Sequence, residues 1–175
     1  PIYVLVENSH SHANADLGVH PGSGSQRPVI RGSKMVANTI GLFWCWGVKF
    51  GLAEDNYMDG NRNYGIFIGH CDTNNVMRNN EIHNSGKVGI LFRDDTRGQD
   101  FWANHNVLEK NKVVDSGGEA GVAIDIHGQT RDTRITGNEI IETRQPMKRT
   151  GIRIAKTAGE VQLDANTALV RHFHG

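Results

Sequence analysis

Asp94 and Asp95 stand side by side, and paired carboxylates can divide into a general acid and a general base when one is desolvated. His127 lies further along, and a carboxylate beside a histidine can set its tautomer and charge for proton transfer. Arg93 and Asp125 belong with these groups. Arg153 and Lys156 are cations suited to neutralising a carboxylate on a ligand. The stretch from Arg93 to His105 adds Phe101 and Trp102, flat apolar faces that can stack on sugar rings, with His105 closing the segment. Proton transfer beside an anionic, ring-shaped ligand is the chemistry these types can do. The bland counterpart is a set of ion pairs on a solvated face, with Trp102 folded back as packing.

The elements that must position these groups come from an internal repeat. Five segments open alike: Gly41-Leu-Phe-Trp, Gly65-Ile-Phe-Ile, Gly89-Ile-Leu-Phe, Gly121-Val-Ala-Ile and Gly151-Ile-Arg-Ile, in steps of 24, 24, 32 and 30 residues. Each unit then carries an Asn with an apolar residue two places later: Asn56 and Met58, Asn80 and Ile82, Asn111 and Val113, Asn138 and Ile140, Asn166 and Ala168. Ala53, Met77, Leu108, Ile135 and Leu163 sit three places before each Asn. Short alternating apolar runs bounded by Gly and Asn are strands, not helices. One unit cannot bury its apolar face alone, and stacked units share a core. The inward ladders are expected to be Leu42, Ile66, Ile90, Val122, Ile152 and Trp44, Ile68, Phe92, Ile124, Ile154. The recurrent Asn tolerates left-handed backbone and can stack into a hydrogen-bonded ladder.

Residues 41–175 are therefore expected to form coils starting near Gly41, Gly65, Gly89, Gly121 and Gly151. Residues 1–40 read as irregular N-terminal strands and a polar loop leading into the solenoid, with Val29 to Ile40 an imperfect coil. In that loop, His10-Ser-His12 offers donors to a transition metal but reads first as mobile polar chain. His172-Phe-His174 reads as a terminus. No capping helix and no signal-like segment precede the coils, so an incomplete fragment of a longer helix is expected.

From glycine to Asn the units count 15, 15, 22, 17 and 15 residues, so the third inserts seven and the fourth two. Insertions on one face of a solenoid build binding surfaces. Four places past each glycine lie Cys45, Gly69, Arg93, Asp125 and Ala155, and six places past lie Gly47, Cys71, Asp95, His127 and Thr157. Equal offsets predict that Arg93 neighbours Asp125 and that Asp95 pairs with His127. Arg153 would lie beside Ala123, with His70 and Asp72 on the coil below and Lys156 on the coil above.

Composition limits the partners. Lys plus Arg and Asp plus Glu number 19 each, which argues against bulk nucleic-acid binding, and no apolar run is long enough to cross a membrane. Cys45 and Cys71 are too few for a disulfide scaffold, and two free thiols are the preferred reading.

Units such as Gly65-Ile-Phe-Ile and Asn80-Glu-Ile82 resemble the right-handed parallel β-helix proteins of the pectate-lyase-like superfamily, over roughly residues 29 to 170. The resemblance implies an all-β, right-handed parallel β-helix solenoid of at least five coils. A more distant resemblance is to the polygalacturonase-type glycoside hydrolases. It rests on Asp72-Thr73, Asp94-Asp95, Ile126-His127-Gly128 and Arg153-Ile-Ala-Lys156, and it lacks the Asn-Thr before the first Asp and the first Gly beside His127. It implies Asp72, Asp94 and Asp95 as acid and base candidates and His127, Arg153 and Lys156 as substrate-binding. The calcium-dependent lyases of the same fold imply Asp94, Asp95 and Asp125 as oxygen ligands, so Ca²⁺ is expected only if the reaction is a lyase, and no other cofactor is expected. The reading is a secreted, periplasmic or cell-surface protein whose partner is a polysaccharide. It would be a hydrolase or lyase acting on an acidic glycan; alternatively it is a non-catalytic structural, adhesive or glycan-binding module. Fold alone does not choose between them.

Overall fold

The computed structural model describes residues 1–97, 101–119, 121–144 and 149–170. The described residues form seven turns of a right-handed parallel β-helix. The first coil is β1 (Leu5–Glu7), β2 (His10–His12) and β3 (Leu17–Val19), and the second is β4 (Val29–Arg31), β5 (Lys34–Val36) and β6 (Ile40–Trp44). The third comprises β7 (Leu52–Glu54), β8 (Tyr57–Asp59) and β9 (Tyr64–Ile68), the fourth β10 (Val76–Arg78), β11 (Glu81–His83) and β12 (Val88–Phe92). Then come β13 (Val107–Glu109), β14 (Lys112–Val114) and β15 (Val122–Ile126), followed by β16 (Thr133–Thr136), β17 (Glu139–Glu142) and β18 (Thr150–Ile154). β19 (Val161–Asp164) and β20 (Thr167–Val170) begin the seventh coil. First, second and third strands of successive coils pair in parallel as three sheets of seven, seven and six strands. Residues 5–19 thus supply a full coil, and His10 and His12 lie on β2 rather than in a loop.

Each sheet contributes ladders to one core. Ala53, Met77, Leu108 and Ile135 stack in the first sheet, Met35, Met58, Ile82, Val113 and Ile140 in the second. In the third sheet the ladders are Leu42, Ile66, Ile90, Ile124, Ile152 and Trp44, Ile68, Phe92, Ile126, Ile154. Ile152 and Ile154 are half-buried because β18 is the edge strand.

The corners are built from the recurrent Asn. Asn56 donates through Nδ2 to Asn80 Oδ1, Asn80 to Asn111, Asn111 to Asn138 and Asn138 to Asn166, at 2.9–3.0 Å. The same side chains reach back to core-strand carbonyls such as Ile30 O and Ala53 O. The residue before each Asn takes a positive φ, as at Asp55, Asn79, Lys110 and Gly137. Asn14, Asn38 and Asn61 form a similar column between the second and third sheets. The glycines that open the third-sheet strands answer a close approach: a Cβ on Gly65 would sit 2.3 Å from Ile82 Cγ2.

The register corrects one step of the sequence reading. Ile90 pairs with Ile124, and Ile124 with Ile152, so Ala123, not Gly121, is the fourth-unit counterpart of Gly89 and Gly151. Val122 is buried but faces Val88 instead of Ile90. From Ala123 to Asn138 is again 15 residues, so the fourth unit carries no insertion after its strand; the extra chain precedes β15.

Candidate functional site

The third sheet is followed in every coil by a loop, and these loops stack. Trp46, His70 and Asp94 share an offset from their glycines, as do Cys45, Gly69 and Arg93. With Ala123 as the reference in the next coil, His127 follows Arg93 and Gly128 follows Asp94. The expected neighbours therefore change. Asp125 lies beside Leu91 and Arg153, not Arg93 or, for Arg153, Ala123. Asp95 does not pair with His127; both have other partners.

Asp95 is 1% exposed and meets His70 and Arg97. Arg97 grips both carboxylate oxygens, through Nε at 2.7 Å and through Nη2. His70 Nδ1 lies 2.7 Å from Asp95 Oδ2, though the N–H does not point straight at the oxygen. On the other side Arg93 Nη1 donates to His70 Nε2 at 2.6 Å. A guanidinium can only donate, so Nε2 presents its lone pair and the proton of the neutral imidazole is left to Nδ1, close to Asp95 but not hydrogen-bonded to it. The Trp46 ring stacks on His70 with centroids 4.9 Å apart and planes 4° from parallel. Arg97 lies over Trp46 at 4.3 Å and over Phe101 at 5.3 Å. A buried Asp–His pair is thus walled by two arginines and two aromatic rings.

The other predicted residues occupy different places. Asp94 is exposed and accepts from Trp102 Nε1 at 3.2 Å. Trp102 is buried against Gly128, so it packs the coil rather than presenting a stacking face; Trp46 is half-exposed, with the His70 ring and Arg97 both lying over it. Asp72 is wholly buried and accepts from the amides of Val48 (2.8 Å) and Gly69 (3.2 Å). Burial pushes its pKa up to about 8, against the opposing pull of those amides and that of Gly47. It braces a corner and cannot reach a substrate. Asp125, also buried, accepts from Arg153 and from His127 Nε2 at 2.7 Å, making a second cluster on β15, the strand beside β12. His105 faces Asp132 at 3.5 Å on an exposed turn away from both clusters, and Lys156 is exposed after β18. Residues 98–100 of the insertion and His172-Phe-His174 lie outside the described residues.

Sequence reasoning placed His70 near the site without assigning it a role, and missed Trp46 and Arg97. His70 and Trp46 carried a signal, the shared offset five places past Gly65 and Gly41. Arg97 lies in a loop with no counterpart in other coils. Beyond the loops, the outward row of the third sheet runs His20, Phe43, Phe67, Leu91, Asp125, Arg153. Its first half is aromatic: His20 stacks on Phe43 at 5.2 Å, Phe43 meets Phe67 at 4.7 Å, and Tyr64 stacks on Phe67 at 5.0 Å.

Both cysteines are free, and burial raises both thiols, Cys45 to about 11. Among the described residues no three His, Cys, Asp or Glu side chains gather as a metal site.

The sequence profile of a family described as periplasmic copper-binding protein (NosD) matches residues 4–158. Among solved structures, the Dettilon tailspike protein (gp208) superposes with a TM-score of 0.79 at 12% identity, over 97% of this chain and 35% of the tailspike. The alginate lyase of Paenibacillus sp. str. FPU-7 superposes with a TM-score of 0.60 at 10% identity, over 99% of this chain and 78% of the lyase. The chain thus spans about a third of the tailspike's length. No curated protein matches it in sequence.

Proposed function

The chain belongs to the family of periplasmic copper-binding proteins of the NosD type, and from that premise we propose that its solenoid binds and acts on an acidic polysaccharide. The glycan would lie along the outer face of the third sheet, from the aromatic row of the first coils to the loop of Arg93 and Arg97. The carrying observation is the convergence of two arginines, a half-exposed tryptophan and a buried Asp–His pair at one loop edge. Aromatic faces suit sugar rings, and guanidinium forks suit carboxylates. The tailspike and lyase neighbours support a carbohydrate-related role, and a periplasmic or extracellular place of action goes with it.

At this loop edge the residues do not fit copper. His70 has one ring nitrogen under Arg93 and the other against Asp95, and the Cys45 thiol is buried and held protonated. Calorimetric titration of the whole chain with polyuronates and neutral glucans, at low and high salt, tests the proposal. Binding to polyuronates that weakens with salt is expected. Equal binding to neutral glucans, or none to any polyuronate, would overturn it.

A further inference from the structure

We propose that His70 is the proton acceptor of a β-elimination performed on uronate-containing glycans, with Arg93 covering it at rest and taking the uronate carboxylate during reaction. The inference rests on the acidic-glycan reading above and adds the reaction class and its base.

The carboxylates are poorly placed for the alternative. Glycoside hydrolysis needs two carboxyl groups facing the scissile bond. Asp72 is sealed in a corner, Asp95 is held by His70 and Arg97, and Asp125 by His127 and Arg153. Only Asp94 of the four is exposed. Elimination asks for different groups: a cation on the substrate carboxylate and a base beside the neighbouring carbon. The loop supplies both. The Nε2 lone pair of His70 is directed at Arg93, and Nδ1 lies 2.7 Å from an Asp95 carboxylate oxygen whose charge can offset the imidazolium once it forms. Trp46 fixes the ring plane.

A uronate carboxylate is a stronger acceptor for a guanidinium than a neutral imidazole is, so its arrival draws Arg93 off Nε2. The lone pair takes the proton from the carbon that bears the carboxylate. The electrons of that C–H bond form a double bond to the adjacent ring carbon, and the bond from that carbon to the glycosidic oxygen breaks. The leaving oxygen takes a proton from solvent, and the imidazolium returns one. The sum moves one proton and needs no oxidant, reductant or co-reactant. Arg93 meanwhile offsets the charge that develops on the carboxylate.

The test offers polygalacturonate, polymannuronate and polyguluronate to the whole chain and reads the ultraviolet absorbance of the unsaturated product beside binding by calorimetry. His70→Gln is expected to lose turnover by roughly a hundredfold or more while binding changes less than about twofold. Polyuronate that binds without yielding unsaturated product overturns the inference and leaves the binding reading standing, as does a His70→Gln chain that keeps its turnover. Absence of binding removes both. Should His70→Gln not fold, imidazole ¹⁵N spectra of the unaltered chain decide. A proton on Nδ1, with an Nε2 resonance that moves on polyuronate binding, supports the proposal; a proton on Nε2, or no movement, overturns it.

Discussion

The asparagine corners and the loop edge of His70 are both buried and polar, yet they are made in opposite ways. At the corners one residue type repeats from the third coil to the sixth, with the same bond to the coil above and the same bond to a strand carbonyl. At the loop edge no coil repeats another: tryptophan, histidine and aspartate share one column, and every partner differs. In a solenoid, repetition marks what holds the stack together, and departure from repetition marks what the stack can be used for.

The comparison breaks most sharply at Asn80. Its side chain accepts from the Asn56 amide and Nδ2 and donates to Ala53 O and Asn111 Oδ1. Asn80→Ala leaves several buried groups unpaired, and a loss of about 3 to 5 kcal/mol is expected. Thermal melting should show a fall on the order of 10 °C.

Asp72 sharpens the contrast, since it does an asparagine's work with an ionisable group. Its pKa in the folded chain, about 8, lies above the ordinary 3.8, so the folded state holds a proton that the unfolded state releases. That stabilisation is whole below about pH 4 and is lost as pH rises through about 8. Melting temperature should therefore decline across that window, and Asp72→Asn should flatten the decline. A parallel slope in both proteins would place the sensitivity elsewhere.

Arg93→Gln should act the other way round, on ligand rather than fold. Polyuronate affinity is expected to drop about tenfold, roughly 1.4 kcal/mol, with little change in melting. The smallest effect belongs to Arg78→Gln. Its pair with Glu54 at 2.7 Å repeats in neighbouring coils as Arg31 with Glu7, but both arginines are near half-exposed. Solvent screens such exposed pairs and they add little to stability, so melting should scarcely move.

The core was readable because burial writes itself into the sequence with a period. Ala53, Met77, Leu108, Ile135 and Met58, Ile82, Val113, Ile140 stack as their spacing from each Asn predicts. The slip at Gly121 shows how far that legibility reaches. A shift of two residues preserves the alternation of faces, so Ile124 still points inward, but it moves every outward residue to a new neighbour. The Asp95–His127 pair was lost through that shift, and the packing of Trp102 against Gly128 has no period by which it could be foreseen. Arg97 was illegible for the same reason: its contact with Asp95 spans two residues inside a loop unique to one coil.

Because each corner asparagine bonds only to the coils beside it, no coil depends on the length of a loop elsewhere. The cost of lengthening a loop grows only as the logarithm of its length. Evolution can therefore graft, lengthen or exchange the segments that follow the third sheet one at a time. Novelty can accumulate along a single edge while inheritance of the remaining two edges goes undisturbed.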